Sequence, residues 1–518
     1  MKRQRRQISL GMWIRGAALA ALLPSVASAE EVTLREPSGG LELTGEFLGF
    51  DGQNIRIAGP FGEMTLAYEG MECEGACPDP DTWLPTLRIS GPARLAGLIL
   101  PALIEAYARG LGAPLERQEA AGLVTYQLGG EAGLTLALRA TSTEDGFADL
   151  LAHEADMALA DRPLTPMELS LARDAGLGPL EDGAQQQVLA LDALVPVVSP
   201  GRQMARLALR DLVRIYAGEI TEWEALGQPQ GPINAYLAEP SDGQAQHFET
   251  AFLQRSGRAL APAVRRLPAA ELAAAVAADP SGLGLLPFGA TDPALPLAVS
   301  GPCGLSLAPD AAPIRTEDYP LTLPLTLTMP RRLQHPHVAA FLAWLAEPEA
   351  QLVLRRAGVI GQEPAEIPVA EQGERFLAAI GNAGAEIVLS DLRDMADLLG
   401  PRTRLSPTFR FGEGGVALDG PSRSSLAVLA RRLTDGRYAG RELMFIGFSD
   451  RLGPAARNLA LSEDRAAAVE AALLAALGGT LPPGVTLAHA GLGEALPVAC
   501  DDTLWGRERN RRVELWLR

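Results

Sequence analysis

Apolar and polar positions change rhythm along the chain. Residues 31–70 alternate in short bursts, VTLRE, LELTGEFLGF, NIRIAG and EMTLAYEG, broken by turn signals at Ser38-Gly39-Gly40, Asp51-Gly52 and Gly59-Pro60. A period of two between such breaks predicts a small antiparallel β unit. Cys77-Pro78-Asp79-Pro80-Asp81 reads as a linker. From Leu84 to about Pro364 strand-like and helix-like runs alternate. Strands are expected at 87–90 and 155–160, a double apolar strand at 188–199, and a strand pair at 319–330. Helices are expected at 94–109, 142–153, 207–216, 245–254 and 337–354. That alternation argues for an α/β block with a mainly parallel sheet, long enough for two lobes. Residues 365–400 are acidic and helix-prone, and read as a linking helical region. A compact α/β unit follows from about Arg404, with the strand ELMFIGF (442–448) and a helix over 456–477.

Length and charge narrow the picture. The 518 residues allow three or four domains. With 47% hydrophobic and 21% charged residues, real cores are expected rather than disorder. The first 29 residues read as a cleaved export signal: basic MKRQRR, an apolar run from Gly16 to Leu23, then Ala27-Ser28-Ala29 before Glu30. Arg5-Arg6 leaves open the Sec or the twin-arginine route. The apolar run is too short to span about 30 Å of hydrocarbon. The chain carries −18, and about −23 without the basic signal. That surface repels nucleic acid, so no nucleic-acid partner is expected.

Export brings the four cysteines into an oxidising compartment. Cys73 and Cys77 are close enough in sequence for a local disulfide. Cys303 and Cys500 are left either to pair across domains or to stay buried and free. C-x3-C without a second ligand pair is a poor metal site, and His335-Pro336-His337 has no third ligand nearby. No nucleophile elbow, phosphate loop or zinc-protease motif is present. No catalytic residues, no metal and no cofactor are therefore expected, and the chain is read as a non-enzyme.

The C-terminal unit has a specific pattern. Asp450 ends a strand, while Asn458 and Arg465, seven apart, share one helix face. A carboxylate and a guanidinium flanking one pocket suit a zwitterion. GFSDRLGPAARNLALSEDRAAAV (447–469), GLGEALPV (491–498) and NRRVE (510–514) resemble, in order and spacing, the OmpA-like peptidoglycan-associated family. FRFGEGGVAL (409–418) resembles the family's first strand. The resemblance covers roughly 404–518. It implies binding of diaminopimelate in the stem peptide of peptidoglycan, with Asp450 and Arg465 as the ligand pair, Asn458 in support, and Arg511 or Arg512 adding contacts.

The central block resembles the PstS-like branch of periplasmic solute-binding proteins over roughly 85–364. ISGPARLAGLILPALIEAYA (89–108), HEADMALADRPLTPMEL (153–169), LALDALVPVVSPG (189–201) and LALRDLVRIYAGEITEWEALG (207–227) carry that resemblance. It implies a solute site at Ser90, Gly91, Arg94, Asp161, Arg162, Asp242, Gly243 and Gln244. The chain departs from the phosphate pattern there. Pro92 offers no N–H after Gly91. In the second loop, where the family usually has Arg, Ser and Thr, this chain has Ala238, Asp242 and Gln244. A carboxylate at an oxyanion site costs several kcal/mol. Phosphate, another small solute, or a surface for an envelope partner all remain open for this block.

The expected fold class is α/β multidomain: a two-lobed periplasmic-binding-protein-like α/β domain, an OmpA-like α/β sandwich and a small N-terminal β unit. The expected divisions are 1–29 signal, 30–83 β unit, 84–364 solute-binding-like domain, 365–403 helical linker and 404–518 OmpA-like domain. The expected function is a periplasmic envelope protein held to the wall or outer membrane through peptidoglycan. The alternative is a wall-tethered phosphate or oxyanion component of an ABC transport system.

Overall fold

The computed structural model describes residues 31–518 except 51–53, 61, 81–83, 131–132, 182–184, 331–334, 385 and 412–414. The export signal expected at 1–29 lies outside them. Chain contacts divide the protein into two compact units, Met1–Trp83 and Leu84–Arg518.

In the first unit, alternation produces a five-stranded antiparallel sheet in the order Gly62–Ala67, Asn54–Gly59, Glu42–Phe50, Glu31–Arg35, Glu72–Gly75. Its inward positions, Val32, Leu34, Phe50, Ile55 and Ile57, form the core. The Cys73–Cys77 disulfide is present, with Cα atoms 5.9 Å apart.

The second unit is organised by one strand. Gln186–Val198 runs 13 residues, almost all buried, as a single strand where a double one was expected. Its first part pairs with Thr322–Thr328, and its last residues, Leu194 to Val198, pair with Gly282–Pro287. One strand thus serves two lobes. The first lobe centres on Thr86–Pro92, parallel to Leu134–Thr141 and to Met157–Ala160. The second holds Asn234–Ala238, parallel to Arg265–Leu267 and Gly282–Pro287. The crossover pairings are antiparallel, so the sheet is mixed rather than mainly parallel. Each lobe has its own apolar core.

Several expected elements differ in detail. The segment 319–330 makes one strand, Thr322–Thr328, because both of its pairing edges are used, against the crossover strand and Met157–Ala160. The helix expected over 337–354 is two, Pro336–Trp344 and Pro348–Arg356. Pro348 lacks an N–H and starts the second at its first turn.

The C-terminal sheet has the order Glu366–Ile367, Thr403–Phe409, Arg512–Leu517, Glu442–Phe448, Thr486–Gly491. Its first long strand lies at 403–409 and shares only Phe409 with the FRFGEGGVAL segment expected to form it. Helices Gly420–Thr434 and Ala455–Ala476 cover one face of this sheet. The helices Gly373–Gly381 and Leu389–Leu399, expected as a linking region, pack Ala379, Met395 and Leu399 against Met444, Ile446 and Trp516 on the other face. A disulfide joins Cys303 to Cys500, Cα atoms 5.6 Å apart, and ties this layer to the second lobe. Among the described residues, no helix is long and apolar enough to cross a membrane.

Candidate functional site

Two of the concave sites among the described residues of the second unit gather expected site residues from more than one element. The first is a cavity of about 460 Å³ where the C-terminal layer meets the lobes. Helix Ala455–Ala476 brings Arg465 to it, and the end of helix Leu504–Asn510 brings Arg509 and Arg511. Arg410 and Phe411 follow the strand Thr403–Phe409. The opposite wall includes His247, Phe252, Arg255 and Glu317.

The charges of this cavity are unequal. Arg255 pairs with Glu508 at 3.0 and 2.5 Å, and Arg410 with Glu317 at 3.3 Å. Arg511 donates to Asp450 Oδ2 at 2.7 Å. Arg465 differs. It is 4% exposed, and its Nε and Nη1 are buried without a hydrogen-bond partner. The guanidinium lies 5.3 Å from the Phe411 ring centroid. Burial, then the nearby Arg511, lowers its affinity for its proton, against the pull of Asp450. The same positive field acts on its neighbours. Burial and then Arg410 push Arg509 down to about 10. Burial, Arg509, Arg162 and Arg255 push His247 down to about 3. A cavity in which cations disfavour one another calls for an anion.

The expected ligand residues are only partly brought together. Arg465 and Arg511 line the cavity; Asp450, Asn458 and Arg512 are not among its lining residues. Asp450 is 7% exposed, and its two oxygens accept from Arg511 and from the Leu452 N–H. Arg511 already supplies its carboxylate with a counter-cation, and Asp450 in turn positions Arg511. Asn458 Nδ2 donates to the Asp450 carbonyl and fixes that turn. Arg512, fully buried, pairs with Glu514 at 2.6 Å and lies over Phe448. It is a core residue, because the next position along a strand points to the opposite face. The sequence pattern missed His247 and Arg255, which come from a different part of the chain. Arg410 and Arg509 sit beside the family blocks, and that adjacency was the available signal.

The second site is a cleft of about 360 Å³ lined from both lobes, including Arg94, Asp161, Asp242, Gly243 and Gln244. Gly243 is required there: a Cβ would meet Asp161 Oδ1 at 2.0 Å. Ser90, Gly91 and Arg162 are not among its lining residues. The Ser90 hydroxyl donates to Asp149 at 2.6 Å, which holds it away from the cleft. Gly91, at φ +155°, lies where a Cβ would strike the Leu159 carbonyl, so its role is close packing of strands. Arg162 forks onto Glu168 at 2.9 and 2.8 Å. Arg94 pairs with Asp192, which is fully buried. Both guanidiniums are neutralised by carboxylates of the chain itself. The lone acid inside the apolar run VLALDALVPVVS was the sequence signal for Asp192, a buried charge that needs a partner.

These geometries meet the sequence comparisons. Residues 118–349 match the family described as PBP superfamily domain, and residues 410–511 match the OmpA family. The chain joins a PBP-superfamily domain to an OmpA-family domain. Both are non-catalytic families, and such domains are typical of exported periplasmic or envelope proteins. The phosphate-binding protein PstS of Borreliella burgdorferi is 30% identical over 84 residues, 16% of this chain. The chain spans 30% of the length of that curated relative. Among solved structures, an ABC-type phosphate transport receptor from Vibrio cholerae is 20% identical, over 53% of this chain and 99% of that one, at a TM-score of 0.42. A putative phosphate ABC transporter substrate-binding protein with bound phosphate, from Clostridium perfringens, is 16% identical, over 54% of this chain and 99% of that one, at 0.42. The residues matched to the PBP superfamily contribute most of the cleft, Asp161, Asp242 and Gln244 among them, and those matched to the OmpA family contribute Arg465.

Proposed function

We propose that this is a non-catalytic envelope protein that binds peptidoglycan through the cavity around Arg465, while its PBP-superfamily domain holds a small solute. The observation that carries the wall reading is the buried guanidinium of Arg465, whose Nε and Nη1 have no hydrogen-bond partner. Burying a cation without hydrogen bonds is costly, and a ligand carboxylate relieves that cost by accepting from the planar fork. Arg511, held by Asp450, stands ready to share the anion. The stem peptide of peptidoglycan carries such carboxylates on diaminopimelate. OmpA-family membership of residues 410–511 supports the same ligand class.

Co-sedimentation with purified sacculi tests this reading. The full chain is expected to pellet with sacculi, and Arg465→Ala to stay in solution. Arg457→Ala, on the exposed side of the same helix, is expected to pellet like the wild type. Pelleting of Arg465→Ala to the wild-type extent would contradict the proposal.

A further inference from the structure

The cleft between the lobes is rich in carboxylates, with Asp145, Asp161, Glu239 and Asp242 on its lining against one guanidinium. Asp161 and Asp242 line it, and Arg94, the lining guanidinium, is paired with Asp192. Gln244 supplies an independent sign. It is 3% exposed and lines the cleft. Its Nε2 donates to Asp192 at 3.0 Å, and because an ionised carboxylate only accepts, the orientation of the amide is fixed. Gln244 Oε1 is therefore the other amide atom, and it is buried with no donor. An orphaned buried acceptor beside two carboxylates is completed by a group that brings several N–H donors and positive charge.

The geometry points to a solute with a primary ammonium as the ligand of this cleft, held by Asp161, Asp242 and Gln244 Oε1. An ammonium carries three donors and no acceptor, which matches a pocket of that composition. An oxyanion meets the opposite situation. It faces four lining carboxylates, with the cleft's guanidinium already engaged. The local environment agrees. Burial and the charge of Asp242 push the Asp161 carboxyl up to about 7, and Asp242 is raised too, first by its own burial. Arg162 draws Asp161 back, and Arg94 draws Asp242 back, only in part, and a bound ammonium adds positive charge where burial dominates.

This inference rests on the solute-binding part of the proposed function and is independent of the wall reading. Sacculus binding and cleft binding are measured on different ligands and fail separately.

The test is calorimetry on the full chain with putrescine, spermidine and inorganic phosphate as probes. At least one amine is expected to bind, and phosphate to give no heat at millimolar concentration. Asp242→Asn keeps the side-chain oxygen that accepts from the Ala245 N–H, and Asp161→Asn keeps an oxygen for Thr143, so both variants retain their local hydrogen bonds. Each is expected to melt as a folded protein and to lose at least tenfold in amine affinity. Phosphate binding, silence with both amines, or undiminished amine affinity in the two folded variants would each overturn the assignment.

Discussion

Arg404 and Asp318 form a two-pronged ion pair between the C-terminal layer and the two lobes, Nη1 to Oδ2 at 2.5 Å and Nη2 to Oδ1 at 3.0 Å. Both are buried, and Glu514 joins them, flanked by Arg375 and Arg512. Burial alone would raise the carboxyl of Glu514; Arg375, Arg404 and Arg512 together hold it well below the usual range. Removing one member leaves a buried charge alone. Asp318→Ala is expected to destabilise the second unit by about 3–5 kcal/mol. Thermal unfolding followed by circular dichroism checks this, and a loss under 1 kcal/mol would show that water reaches the network.

The Cys303–Cys500 bridge closes a loop of sequence separation 197 across the same junction. Loops of that size give disulfides their larger effects, and removing a native bridge typically costs about 2–5 kcal/mol. The double variant Cys303→Ser, Cys500→Ser is expected to melt earlier by that amount. Protease sensitivity is expected to rise first at the junction, where mass spectrometry of early fragments can locate it.

Asp161 gives a pH signature. Its folded carboxyl titrates near 7 against an ordinary 3.8, so the folded state keeps a proton that the unfolded chain releases. Stability contributed by that proton is present at low pH and is lost as pH rises through the interval from about 4 to 7. Asp161→Asn abolishes the titration. The variant is expected to match the wild type near pH 4 and to exceed it at pH 8 by ~1–3 kcal/mol, read from melting curves across the range.

Gly447 sets the distance between strand and helix beneath the Arg465 cavity. A Cβ there would meet the Ser462 carbonyl at 1.8 Å, one turn before Arg465. Gly447→Ala is expected to cost roughly 1–3 kcal/mol through overpacking. Because the displaced helix carries Arg465, sacculus binding should fall as well, while amine binding in the cleft, which this helix does not line, should not.

Legibility in the sequence followed locality. Alternation in 31–70, the strand Glu442–Phe448 and the helix Ala455–Ala476 were readable because short-range period decides them. Gln186–Val198 read as two strands because one apolar run gives no sign that it is shared by two lobes. The helices at 373–399 read as a linker because amphipathicity marks a buried face without saying what covers it. Arg465 was legible from its motif. The satisfaction of Asp450 by Arg511, and the wall contributed by His247 and Arg255, depend on residues brought together by tertiary packing.

The central claim is that Arg465 holds a carboxylate of the murein stem. Isothermal calorimetry of a diaminopimelate-containing stem tripeptide into the full chain, with Arg465→Ala and Arg465→Lys alongside, measures it directly. The expected result is saturable binding by the wild type, weakened at least tenfold by alanine and less by lysine, which keeps the charge but not the fork. Equal affinity in wild type and Arg465→Ala, or no heat from the wild type at millimolar peptide, would contradict it.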